Sequence, residues 1–108
     1  DIAIPFENKT TFIAECKLWK GEKYIDDGID QLMNYASWRD VKVALLIFNI
    51  DNKNFSSIQD KISSIFKNRS DFIKEIVQRE GEWRFVLQKS DDDYRQITFH
   101  VFAFDLKR

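Results

Sequence analysis

Apolar residues along the chain fall into blocks separated by short polar stretches, and the spacing inside each block predicts its element. Residues 1–6, DIAIPF, and 11–19, TFIAECKLW, read as two strands of a hairpin around the polar turn ENKT. Lys20-Gly21-Glu22-Lys23 is a charged loop with a glycine breaker. Ile25, Ile29, Leu32, Met33 and Ala36 then recur at helical spacing and predict an amphipathic helix over 24–38. Residues 41–50, VKVALLIFNI, form a nearly unbroken apolar run, the pattern of a strand covered on both faces. Strand, helix and strand in that order predict a crossover between neighbouring parallel strands. After the turn DNKN, residues Phe55, Ile58, Ile62, Ile65 and Phe66 mark one side of a helix over 55–67. Ser70 or Asp71 offers an N-cap for a shorter helix over 72–79, with Phe72, Ile73, Ile76 and Val77 inward and Gly81 ending it. Residues 83–89 and 96–106 read as strands of a second hairpin around SDDDY. The predicted order is β-β-α-β-α-α-β-β, a mixed α+β domain with helices packed on a mixed sheet.

One strand breaks its own pattern. In FIAECKLW, residues 12–19, Glu15 and Lys17 are set inside an apolar run. On a strand they project from one face, opposite a face of Phe12, Ala14, Cys16 and Leu18 that the pattern expects to be buried. Desolvating a charge costs several kcal/mol unless it is paired or bound, so about that much must be offset here. An acidic residue, any residue and then Lys occurs five times in the chain, and the other four copies fall in turns or at element ends. Placement, not the triplet, makes Glu15 and Lys17 unusual.

Asp1 lies on the preceding strand, and the hairpin register decides whether it meets them. A two-residue loop at Asn8-Lys9 sets Asp1 opposite Cys16, on the other face. A three-residue loop, Glu7-Asn8-Lys9, pairs Phe6 with Thr10 and sets Asp1 opposite Glu15. In the second register two carboxylates repel unless a cation lies between them, which is the donor set of an oxygen-ligand Mg²⁺ site, with the Cys16 carbonyl as a further ligand. Lys17 would then orient a water or offset developing negative charge. Gln31 and Tyr35 share a face of the following helix and border its apolar stripe, within expected reach of the same site.

Composition narrows the chemistry. The 108 residues, with 44% hydrophobic and 15% aromatic side chains, suit one domain with its own core. Cys16 is the only cysteine and His100 the only histidine, which excludes an internal disulfide and a thiolate-based zinc site and fits a reducing, cytoplasmic setting. No apolar run approaches the roughly 18 residues of a membrane span. A net charge of −1 means that nucleic-acid binding would need a local basic patch. The chain opens without Met inside an apolar run, and we read it as part of a longer protein whose upstream helix lies outside it.

Asp1, Glu15-Cys16-Lys17 and Gln31-Leu32-Met33-Asn34-Tyr35 together resemble the PD-(D/E)XK phosphodiesterase superfamily, and the Q-x-x-x-Y element resembles its RecB-type nucleases. The resemblance covers residues 1–50; residues 54–108 carry no motif of that family. It implies a restriction-endonuclease-like core that hydrolyses phosphodiesters of DNA with Mg²⁺, for which Mn²⁺ is a surrogate. Asp1 and Glu15 would be metal ligands, Lys17 the catalytic lysine, and Gln31 and Tyr35 an accessory pair. Expected partners are nucleic acid, other domains of the parent protein and, as an open alternative, a second copy in a homodimer. The competing expectation is a catalytically silent nucleic-acid- or protein-binding module of the same fold.

Other chemistry-bearing residues have ordinary expectations. Cys16 is expected as a small buried hydrophobe. Trp19, Lys20 and Lys23 lie just past the site, where Trp19 could stack a base and the lysines contact phosphates, or Trp19 could simply cap the core. Asp91, Asp92 and Asp93 read as a solvated hairpin tip. Thr98, His100, Phe102 and Phe104 share one face of the last strand, with His100 half-exposed or satisfied within it.

Overall fold

The computed structural model describes residues 2–6, 10–36, 41–51, 54–89 and 95–106. Strands β1 (Ile2–Phe6), β2 (Thr10–Leu18), β3 (Val41–Asn49), β4 (Phe72–Arg79), β5 (Glu82–Gln88) and β6 (Gln96–Asp105) form one mixed sheet in the order β1-β2-β3-β6-β5-β4. Helix α1 (Glu22–Tyr35) connects β2 to β3, and α2 (Phe55–Lys67) follows β3. β2, β3 and β6 are mutually parallel neighbours, while β1 and the β4–β5–β6 meander pair antiparallel. The mixed α+β class and the parallel crossover agree with the sequence pattern. Among the described residues no helix is long and apolar enough to cross a membrane.

Each helix forms where its apolar stripe and its ends agree. Ile25, Ile29, Leu32 and Met33 of α1 are buried, and its C-terminal carbonyl at Met33 accepts from the buried Lys89 ammonium at 2.8 Å. α1 is shorter than expected at its C-terminal end, stopping at Tyr35 with Ala36 as its cap. In α2, Asn54 caps the first turn by accepting from the Ser57 N–H at 3.3 Å, and Ile58, Ile62, Ile65 and Phe66 are buried.

These stripes pack on one face of the sheet. Val43, Leu45 and Ile47 of β3, Phe85 and Leu87 of β5, and Phe99 and Val101 of β6 alternate onto that face and join both helices in one core. Phe66 of α2 anchors it, stacking on Phe85 at 4.4 Å and meeting Phe99 edge-on at 5.7 Å. The opposite face is not covered by a helix among the described residues, which corrects the expectation that β3 is covered on both sides. Leu46 and Phe48 there are only half-buried.

The expected third helix over 72–79 is instead strand β4. Its register against β5 shifts between Phe72 and Lys74 and again between Glu75 and Val77. Each bulge adds a residue to one strand and resets the alternation of faces. Ile73 and Ile76 fall at these irregularities and are exposed, and the interrupted period of two imitates a helical stripe. Gly81 therefore ends no helix; it sits in the β4–β5 turn with φ 73°. Asp71 caps none either. Its two oxygens accept from Arg69 at 2.9 and 3.0 Å, while Arg69 also reaches Asp26 and, at 2.7 Å, Asp30 of α1. Burial opposes the charge on this guanidinium, but the hydrogen bonds to Asp71, Asp30 and Asp26 outweigh it and raise its pKa.

Candidate functional site

β2 carries the two charges that the sequence singles out, but on the face opposite to expectation. Glu15, Lys17 and Trp19 turn towards the helices, while Cys16 and Leu18 are exposed. The pattern misleads because the uncovered face of β2 carries the uncharged Ala14, Cys16 and Leu18, so hydrophobicity did not mark the covered side. Cys16 is thus an exposed thiol and not a buried hydrophobe. Trp19 is 6% exposed and belongs to the core, which removes it as a base-stacking surface.

Glu15 Oε1 and Lys17 Nζ form an ion pair at 3.1 Å, with side-chain exposures of only 10% and 15%. Parallel pairing sets their backbone against the core: Glu15 is registered with Leu45 and Lys17 with Ile47, both core residues of β3. The Lys17 stem runs over Gly28 of α1, where an added Cβ would lie 3.1 Å from Lys17 Cε. Its ammonium lies 5.0 Å from the centre of the Tyr24 ring, and Lys20 approaches the same ring at 5.4 Å. Gly28 is a residue that the sequence reading passed over. Its signal was available, since glycine inside a helix costs about 1 kcal/mol and calls for a packing reason.

Among the described residues, the second oxygen of Glu15, Oε2, is buried with no hydrogen-bond partner. A buried carboxylate oxygen left bare costs about 1–3 kcal/mol, so this atom is the one place where the pair asks for a further ligand. Hard oxygen donors suit Mg²⁺ or Mn²⁺. Among the described residues, no cluster of three or more acidic, His or Cys side chains could hold a metal.

Comparison with protein-family models, with characterised proteins and with solved structures gave no match to this chain. The hairpin pairs Phe6 with Thr10 and Ile2 with Ala14, which is the register of the three-residue-loop alternative. Asp1 lies outside the described residues, as do Asp91, Asp92 and Asp93. Gln31 and Tyr35 are not brought to Glu15 and Lys17. Both are exposed, Tyr35 by 61%, because the helix buries the stripe through Ile25, Ile29 and Leu32 and leaves them on its outer side.

Beyond Trp19 a cleft of about 770 Å³ opens at the C-terminal ends of β2 and β3, lined by Lys20, Asp51, Asn54, Ser57 and Lys61 among others. This end of parallel strands is where open α/β sheets commonly place ligands. Lys20 lines it as a phosphate contact requires. Lys23 instead pairs with Asp27 in solvent at 3.2 Å. Asp51, Ser57 and Lys61 were not singled out from the sequence, since only the crossover brings the starts of α1 and α2 to one end of the sheet.

Proposed function

We propose that the domain is a metal-dependent phosphodiesterase acting on nucleic acid, most simply DNA, with a restriction-endonuclease-like arrangement of β1, β2, α1 and β3. The observation that carries this reading is the Glu15–Lys17 pair, shielded from solvent, with one carboxylate oxygen left bare among the described residues. Glu15 would hold the ion through Oε2, with the Cys16 carbonyl as a further ligand. Asp1, which lies outside the described residues, would be the second carboxylate; its neighbour Ile2 pairs with Ala14. Bound there, Mg²⁺ would supply Lewis acidity and a water of lowered pKa. Lys17, fixed by Glu15 and steadied by the Tyr24 ring, places a positive charge beside the scissile phosphate as negative charge builds in the transition state. Lys20 and Lys61 flank the adjoining cleft and would hold the flanking phosphates.

The outward Gln31 and Tyr35 favour a second reading, a non-catalytic module of the same architecture in which Glu15 and Lys17 are only a structural pair. Calorimetric titration with Mn²⁺, paired with cleavage of single- and double-stranded DNA, separates the two. The first reading expects Mn²⁺ binding that Glu15→Ala abolishes, and cleavage lost in both Glu15→Ala and Lys17→Ala while circular dichroism stays native. Mn²⁺ binding that survives Glu15→Ala unchanged, or none in the wild type, refutes it.

A further inference from the structure

The sheet face turned away from the helices carries a second constellation. Alternation places Lys42 and Phe48 of β3, Arg84 of β5, and His100, Phe102 and Phe104 of β6 on it. Phe48 and Phe104 lie across the β3–β6 ladder and stack at 5.2 Å with 20° between their planes. Phe102 and Phe104 lie nearly parallel, at 6.5 Å and 16°. Phe104 is 40% exposed, so the three rings form an aromatic platform that water reaches. Next to them, His100 is registered between Ala44 of β3 and Arg84 of β5, one alternation from Lys42.

The charge here differs from that of the whole chain. The chain carries −1, yet Lys42 and Arg84 stand in the middle of this face, with the acidic Glu82 on the same face opposite Phe102. Burial lowers the pKa of His100 first, and the positive charges of Arg84 and Lys42 lower it further against the weaker pull of Glu82. A protein partner covering this face would have to desolvate both cations. A polyanion would meet them with its own charge and release counterions.

We propose that this face binds single-stranded nucleic acid, with bases stacked on Phe48, Phe102 and Phe104 and phosphates paired with Lys42 and Arg84. A duplex keeps its base faces stacked inside and cannot use the rings in this way. The contact goes beyond the proposed hydrolysis and needs neither Glu15 nor a metal ion.

Fluorescence anisotropy of labelled 12-mer oligothymidine and oligouridine, in EDTA at low salt, tests it. The wild type is expected to bind, and a duplex competitor to displace the strand poorly. Phe104→Ala should weaken binding by about fivefold or more, and Phe104→Tyr, which keeps the ring, should restore it. Lys42→Ala and Arg84→Ala should each lower the slope of log K against log salt by about 0.7. Glu15→Gln should bind as the wild type does even if cleavage is lost, so the two readings can fail separately. No binding, binding indifferent to Phe104→Ala and Lys42→Ala, or a dimer in sedimentation velocity that Phe104→Ala dissociates would each overturn the assignment.

Discussion

Replacing Gly28 with Ala sets helix propensity against the position of Lys17. Alanine is favoured over glycine inside a helix by about 1 kcal/mol. The new methyl would lie 3.1 Å from Lys17 Cε, inside the ordinary carbon–carbon contact distance of roughly 3.5–4.0 Å, so the stem must yield by about half an ångström. Lys17 Nζ is 3.1 Å from Glu15 Oε1, and moving the stem disturbs that pair. Gly28→Ala in the wild type should therefore gain clearly less than the full propensity term. In a Lys17→Ala background the obstacle is gone, and the same substitution should gain about 1 kcal/mol. The bare Glu15 carboxylate is common to both arms of that comparison and cancels. Urea denaturation of the four proteins, with unchanged m-values, measures the coupling, expected at about 0.5 kcal/mol or more. Additivity within about 0.3 kcal/mol would refute the idea that Gly28 is there to seat Lys17.

His100 and Arg69 give two further tests. Because the folded-state pKa of His100 lies below its ordinary 6.5, the unfolded chain takes up a proton first as pH falls. Stability should thus be full above that value and decline below it. His100→Gln should flatten the change in urea midpoint between about pH 7.5 and 5.5, a range above most carboxylate titrations; an unaltered slope would contradict this. Arg69→Met removes the bonds to Asp71, Asp30 and Asp26 that tie the turn before β4 to α1. Two of those partners are half-exposed, so we expect a loss of about 2 kcal/mol with faster amide exchange in the turn, and a loss under about 0.5 kcal/mol would mean the cluster is only surface decoration.

The linear pattern alone determined most elements and the parallel crossover, because Ile25, Ile29, Leu32 and Met33 repeat at helical spacing and 41–50 cannot be exposed as a helix or loop. It also marked Glu15 and Lys17, since two charges inside an apolar strand stand out without any knowledge of their surroundings. Phe72, Ile73, Ile76 and Val77 misled for a local reason: two bulges interrupt alternation, and a broken period of two resembles a helical stripe. Which face of β2 would be covered was a matter for the tertiary structure. Both helices settle on the side of Val43 and Leu45, and this turns Glu15 and Lys17 inward, exposes Cys16 and leaves Phe104 on an open face. A period of two states that a strand has two different faces; only the packing of the remaining elements assigns one of them to the core.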